Sequence, residues 1–335
     1  MAISSSPPVH SFTFPRLMGS ALADPDVCFA VTGATGWLGQ ATLDVLDSAL
    51  GPQFAERVIA FGSHGREIKL HEGRHVDIHP LDNLVNLPAE KRYVFLHYAF
   101  LTRDKVATHS HDDYVAGNSA ITGAVSHAIA GRKAIGLFIP SSGAVYRADG
   151  TLDDDIVANP YGVLKRRDEL HFAQLAAQED IPLAVMRVFN LAGPYVNKVN
   201  TYALSSIILD VLRGGPIILH ASHPVVRSYV SIFNVIDLAL CMLSDREEPI
   251  VEPFDTAGEG ESELGELAQL CASVLDRPNI RIERPPLLEG PVDRYVGDGT
   301  AMRDRAVRYG VALAPLPAQI EQTADFLGET LKDAV

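Results

Sequence analysis

Val31-Thr32-Gly33-Ala34-Thr35-Gly36-Trp37-Leu38-Gly39 is the stretch whose reading decides the fold. Before it, Val27 to Val31 is a continuous apolar run, which reads as a buried strand. After it, Leu38 to Leu50 carries apolar residues at helical spacing, so the three glycines sit at a strand-to-helix turn. That context favours a phosphate-binding loop, in which the amides of a helix N-terminus face a pyrophosphate. Gly33 then permits the tight turn, Gly36 the approach of the phosphates, and Gly39 the packing of helix on strand. The spacing is GxxGxxG rather than GxGxxG. Taken alone, the segment is also compatible with a plain glycine-rich turn between a strand and a helix.

Working outward, the chain repeats this alternation. Arg57 to Phe61 reads as a second strand ending in the loop Gly62-Ser63-His64-Gly65-Arg66, and further strands are expected at Arg74 to Ile78, Tyr93 to Tyr98, Ala134 to Ile139 and Leu183 to Val188. Helical spacing covers Tyr114 to Ala130 and Tyr161 to Gln178. Strands alternating with helices predict parallel βαβ units, hence an α/β fold with a doubly wound parallel sheet of Rossmann type. Ligands of such sheets bind beyond the carboxyl ends of the strands, where Gly33, Ser63, Ala99, Ser142 and Asn190 are all expected. Residues 27–193 form this dinucleotide-binding unit. From 194 to 335 the pattern loosens into a smaller C-terminal substrate-binding lobe, some segments of which return to the sheet. Its expected elements include strands at Ile217 to His220 and Arg227 to Ile232, and helices at Leu264 to Leu275 and Ile320 to Leu331. Residues 1–26, with Ser4-Ser5-Ser6-Pro7-Pro8, read as a flexible arm with a docking segment around Phe12 to Leu17.

Composition limits the function. The chain has 335 residues, of which 47% are hydrophobic, enough for a sizeable core. No apolar run approaches the roughly 20 residues of a membrane helix, and the N-terminus has no basic region followed by an apolar one. A soluble cytoplasmic protein with no membrane partner is expected. A formal charge of -14 argues against nucleic acid, whose binding rests on Lys and Arg neutralising phosphates. Cys28, Cys241 and Cys271 are far apart with no CxxC and no His cluster, so neither a disulfide framework nor a metal is expected.

Chemistry enters with Tyr161 and Lys165. The i, i+4 spacing places both on one face at the start of a predicted helix. A phenol, with a reference pKa of about 10, is a poor acid–base group at neutral pH. A nearby ammonium stabilises the phenolate and tunes the pair toward proton transfer. YxxxK alone also describes a surface tyrosine and lysine. Ser141-Ser142, ending a predicted strand upstream, changes this, because a hydroxyl then reaches the same site from the sheet edge.

With the glycine turn, His97-Tyr98-Ala99, Ser141-Ser142-Gly143-Ala144-Val145-Tyr146, Tyr161-Gly162-Val163-Leu164-Lys165 and Arg187-Val188-Phe189-Asn190-Leu191-Ala192-Gly193-Pro194 in this order, the sequence resembles the extended branch of the short-chain dehydrogenase/reductase superfamily. GxxGxxG is the spacing that branch uses. The resemblance implies Tyr161 as acid–base residue, and Lys165 as the group that lowers its pKa and holds the nicotinamide ribose. It implies Ser142 on the substrate oxygen and Asn118 positioning the active-site helix and its waters. Thr35, Trp37 and Leu38, with the three glycines, and Tyr98 and Ala99 fall on cofactor-binding positions. Asn190 falls where relatives contact sugar or phosphate, and Arg227 faces a diphosphate with Arg294 assisting.

Two departures narrow the chemistry. Gly143 and Ala144 replace the Asp-Glu pair of the branch's 4,6-dehydratases, so dehydration is not expected. The acid that holds the adenosine ribose in NAD enzymes is replaced by Gly62, with Ser63, His64 and Arg66 following, a neutral donor-rich loop that suits the 2′-phosphate of NADP, NAD being the alternative. The leading expectation is thus a nucleotide-sugar 4-ketoreductase using NADPH. The alternatives are a 4-epimerase with tightly held NAD, a non-sugar carbonyl reductase and a non-catalytic nucleotide binder. The resemblance also implies a homodimer.

Overall fold

The computed structural model describes residues 23–71, 73–245, 247 and 252–333. The docking segment expected around Phe12 to Leu17 lies outside them.

β1 (Val27–Thr32) is buried at every position, as its apolar run dictates. Side chains alternate along a strand, so Val27, Phe29 and Val31 join one core while Cys28 and Ala30 join another on the opposite face. α1 (Trp37–Leu50) covers the first face, followed by a short α2 (Phe54–Arg57) and β2 (Val58–Gly62). β3 (Arg66–Lys69) and β4 (His75–Pro80) come next, then β5 (Arg92–His97), α3 (His111–Ala130) and β6 (Lys133–Ser142). α4 (Pro160–Glu179) and β7 (Leu183–Val188) complete the βα alternation.

These strands, with β12 (Phe254–Asp255), form an eight-stranded sheet in the order β12-β7-β6-β5-β1-β2-β4-β3. It is parallel apart from the β3–β4 pair. The order reverses between β1 and β5, and ligands of open α/β sheets bind at such a reversal. The doubly wound fold is therefore as the sequence implies. One local reading changes. The segment from Gly62 was expected to be loop as far as Arg66, but Arg66 opens β3, which pairs antiparallel with β4 through Arg66↔Ile78 and Lys69↔His75.

The C-terminal half adds β8 (Leu191–Ala192), α5 (Ala203–Arg213), β9 (Ile217–Ile218), β10 (Val225–Arg227) and β11 (Val230–Ser231). The strand expected from Arg227 to Ile232 is thus split in two. α6 (Ile232–Ser244) then packs under the sheet against α1, its apolar residues joining the core of the β1–α1 face. β13 (Ser262–Glu263), α7 (Leu264–Val274), β14 (Ile282–Glu283), β15 (Asp293–Tyr295), α8 (Thr300–Tyr309) and α9 (Leu316–Asp333) follow. A third core, built from Leu204, Ile208, Leu267, Cys271, Ile320 and Leu327, binds α5, α7 and α9 together. Among the described residues no helix is long and apolar enough to cross a membrane.

Candidate active site

The glycine turn carries out two of its expected tasks by shape. Gly33 has φ +64°, and a Cβ there would lie 2.6 Å from the Ala99 amide nitrogen. A Cβ on Gly39 would lie 2.3 Å from the Gly33 carbonyl oxygen, so α1 packs against the turn only because Gly39 has no side chain. Gly36 is the N-cap of α1 and gives it no side-chain cap. The first-turn amides of α1 therefore have no side-chain acceptor, and they are the groups a pyrophosphate would meet. This cradle fits a dinucleotide. Trp37 donates its indole N–H to the Pro194 carbonyl at 2.6 Å and stands 5.2 Å from the Tyr202 ring, tying the turn to the chain beyond β8.

Behind the turn, His97 closes β5. Its Nδ1 lies 2.7 Å from the Thr32 hydroxyl, which also accepts from the Ala99 amide at 3.3 Å. Burial, helped by the Lys165 charge, pushes the His97 imidazole down to about 3, so it is neutral in the folded chain. The unfolded chain takes up this proton near the reference value of about 6.5. Stability carried by neutral His97 is therefore full above pH 6.5 and is lost as pH falls toward 3, at roughly 1.4 kcal/mol per pH unit. Urea titrations between pH 4 and 6.5 are expected to show a slope flatter by one proton in His97→Asn. Tyr98 accepts a hydrogen bond from Thr42 at 2.8 Å and packs edge-on against Phe138, so its side chain braces α1 against the sheet.

Asn118 is buried on α3. Its side-chain oxygen accepts from the Leu101 amide at 2.8 Å, and its NH2 donates to the Tyr114 carbonyl at 3.2 Å. It thereby fixes the loop after β5 to α3.

Ser142 ends β6. Its Oγ accepts from the Ala144 amide at 3.1 Å and lies 3.4 Å from the Tyr295 hydroxyl. Pro160 and Tyr161 start α4, capped by Asn159, whose side chain accepts from the Gly162 amide. A Cβ on Gly162 would lie 1.9 Å from the Ala144 carbonyl, so this glycine lets α4 seat against the Ser142 turn. Tyr161 and Lys165 do share a face, but their electrostatics differ from the simple pairing. Burial pushes the Tyr161 phenol up to about 12, with Ser142 pulling it back. Lys165 donates to the Pro140 carbonyl at 2.9 Å and lies 4.0 Å above the Phe100 ring centre. Its ammonium is pushed down to about 8 by burial.

The remaining residues divide. Asn190 donates to the Ser228 and Tyr295 carbonyls, both at 3.1 Å, which joins β10 and β15 to the end of β7. Arg227 is partly buried and pairs with the Asp293 carboxylate at 2.9 Å. Across the β10–β15 ladder Arg227 is the partner of Tyr295, which puts both on one face. Alternation sends neighbouring Arg294 to the other face, where it pairs with Glu261 while exposed. The structure thus does not bring Arg294 to the cluster. Ser63, His64 and Arg66 are exposed beyond β2. Two residues that the motifs did not mark are part of the site. Tyr295 comes from a three-residue strand far along the chain, and Phe100 follows the His97-Tyr98-Ala99 motif. Among the described residues no group of His, Cys, Asp or Glu is placed to hold a metal.

Residues 29–254 match the NAD dependent epimerase/dehydratase family, and the chain belongs to it. It is similar to the UDP-glucose 4-epimerase of Mycoplasma genitalium, 24% identical over an alignment of 220 residues that covers 58% of this chain and 64% of that protein. Solved structures share the fold. The UDP-N-acetylglucosamine 4-epimerase of Methanobrevibacter ruminantium, in complex with UDP-N-acetylmuramic acid, superposes with a TM-score of 0.67 at 16% identity, covering 90% of this chain and 98% of that one. The UDP-glucuronic acid 4-epimerase of Bacillus cereus, in complex with UDP-glucuronic acid and NAD, does so with a TM-score of 0.62 at 16% identity, covering 91% and 99%.

Proposed function

We propose that this chain is an NAD-dependent nucleotide-sugar 4-epimerase. The observation that carries this reading is the convergence of Ser142, Tyr161 and Lys165 at one end of the sheet, beside a glycine turn shaped for a dinucleotide, with Gly143 and Ala144 where elimination needs acids. Epimerisation at C4 needs only one acid–base group and one hydrogen-bonding hydroxyl around the reacting oxygen. In this reading Tyr161 takes the proton of the sugar hydroxyl and returns it after the carbon has been turned over, and Ser142 Oγ hydrogen-bonds the same oxygen. NAD, held by the turn 33–39, Ala99, Tyr161 and Lys165, supplies the hydride acceptor and donor when bound. Arg227, on the same face of the β10–β15 ladder as Tyr295, is the residue assigned to the nucleotide diphosphate in this reading, for which it must exchange its pairing with Asp293. Two copies joined through α3 and α4, where Leu170 is 62% exposed, complete the proposal.

The same residues serve a 4-ketoreductase, and the acid-free loop after β2 is the feature that favours it, through NADP. The family's NAD dependence and the epimerases among the relatives weigh the other way. The deciding experiment is to denature the purified protein, identify the released nucleotide by mass spectrometry, and incubate the native protein with UDP-glucose, UDP-N-acetylglucosamine and UDP-glucuronic acid without added cofactor. Released NAD and formation of the C4 epimer are expected. Oxidation of these sugars at C4 that occurs only when NADP+ is added, with NADPH formed in step with the 4-keto product, would establish the reductase, run in reverse, instead.

A further inference from the structure

The acid–base pair is built in an unexpected way. The ammonium of Lys165 is not aimed at open space beside Tyr161. On one side it donates to the Pro140 carbonyl at 2.9 Å, and on the other it sits 4.0 Å above the ring centre of Phe100. The same ring stands edge-on to Tyr161, with centroids 5.7 Å apart and planes at 83°. Phe100 comes from the loop that Asn118 and Tyr114 pin to α3 through Leu101, so the ring is carried by a fixed backbone.

We propose that Phe100 is a positioning residue of the acid–base pair, its face carrying the Lys165 ammonium and its edge locating the Tyr161 phenol. This rests on the epimerase reading for its catalytic meaning, though the contact itself is independent of it. A cation over an aromatic face is attracted by the ring's quadrupole, and the attraction grows when water is excluded. A ring in this place therefore does what an aliphatic side chain of similar bulk does not. It keeps water away from Lys165 while still favouring the charged form, against the burial that favours the neutral one. The charged and titratable groups around Lys165 are Asp168 and Glu169 on α4 and neutral His97 on β5, while Tyr161 lies one helical turn before it. Asp168 is engaged by the Thr122 hydroxyl of α3 at 2.8 Å, and Glu169 by Arg187. Both carboxylates are thus committed elsewhere, which leaves Phe100 and the Pro140 carbonyl as the direct contacts of the ammonium. For an epimerase the consequence is a lysine held in its charged form and in one place, on the same ring that packs against the phenol that must lose its proton.

The test compares Phe100→Leu, which keeps apolar bulk and removes the ring face, with Phe100→Tyr, which keeps both. In the full chain labelled with ¹³C-lysine, with the Lys165 signal identified from Lys165→Arg, the Lys165 titration is expected to fall by roughly 0.5–1 pH unit in Phe100→Leu. It is expected to stay at the parent value in Phe100→Tyr. With UDP-glucose as substrate, the alkaline limb of kcat is expected to move down by the same amount in Phe100→Leu, with KM unchanged. Coincident titrations in the parent and Phe100→Leu would overturn the proposal, as would a kcat profile that drops without shifting. Absence of turnover in the parent with UDP-glucose, UDP-N-acetylglucosamine and UDP-glucuronic acid alike overturns the epimerase reading, and the NMR titration then still decides the role of Phe100.

Discussion

Tyr161→Phe is expected to lower kcat for C4 epimerisation by about 10²–10⁴-fold, the range over which a positioned acid–base group acts, while KM for the nucleotide sugar and the amount of bound NAD change little. The reasoning starts from what the substitution leaves in place. The ring keeps its edge contact with Phe100, and α4 keeps its Asn159 cap and the Gly162 seat against Ala144, so the fold does not depend on the hydroxyl. What is lost is the only phenolic oxygen carried by the face of α4 that holds Lys165. Tyr295 also brings a hydroxyl to Ser142, at 3.4 Å, but it comes from β15, away from the face of α4 that carries Lys165, and burial pushes its phenol up although Ser142, Arg103 and Arg227 pull it down. It is not placed to take over the proton. Burial holds the Tyr161 phenol at about 12 in the free chain, so the protonated form is the resting one. The acid limb of the epimerase is then expected well above pH 7 unless bound cofactor and substrate supply further positive charge and donors. Initial rates of epimer formation across pH 6 to 10, with and without the hydroxyl, measure both points. Retention of full turnover in Tyr161→Phe would remove the catalytic assignment altogether.

The parts of this site that were legible in sequence are those in which local physics and function coincide. The turn 33–39 could be read because a buried strand, a glycine needing φ +64° and a helix without a side-chain cap leave few other residue choices. The Ser142, Tyr161 and Lys165 set could be read because a strand end and one helical turn fix their placement. Other features were hidden for physical reasons. β3, Arg66-Glu67-Ile68-Lys69, is an edge strand with mostly exposed side chains, so it lacks the apolar alternation that marks a strand. α6 is buried on nearly all sides and shows little polar face, which hides its period. Tyr295 reaches Ser142 from a strand three residues long that exists only because β10 pairs with it, a contact between residues 153 apart in sequence. The motif pattern gave the pair Tyr161 and Lys165, but not that Lys165 is shared between a carbonyl and a ring, because both partners come from other strands' ends. Arg294 illustrates the converse. The resemblance gave it an assisting part beside Arg227 at a diphosphate, yet strand alternation sends it to the other face, where it pairs with Glu261.

Glu169→Ala is expected to destabilise the chain by about 3–5 kcal/mol, the cost of removing one partner from a buried ion pair. Glu169 is 3% exposed, and its two oxygens accept from Arg187 at 2.9 and 2.7 Å. The Ser141 hydroxyl donates to the same carboxylate. Arg187 in turn donates to the Tyr146 hydroxyl at 2.6 Å, and Tyr146 donates to Asp255 at 2.9 Å. One connected set of groups therefore joins α4, β6, β7 and β12 with the turn that follows Ser142. Removing the carboxylate leaves the part-buried guanidinium of Arg187, a group that stays protonated in proteins, with the Tyr146 hydroxyl and, beyond it, Asp255. Asp293→Ala, which breaks the partly exposed pair with Arg227, provides the contrast, since surface pairs contribute about 0–1 kcal/mol. Urea unfolding should separate the two variants by several kcal/mol. The catalytic consequence follows from position, because Ser141 is the residue before Ser142 and loses its acceptor when Glu169 is truncated. Glu169→Gln, which keeps an acceptor for Ser141 but not the charge, should fall between parent and Glu169→Ala in stability and retain more of kcat. Should Glu169→Ala unfold at the same urea concentration as Asp293→Ala, the network would be packing without electrostatic weight, and the rigidity of the Ser142 turn would have to come from the seating of Gly162 on Ala144 instead.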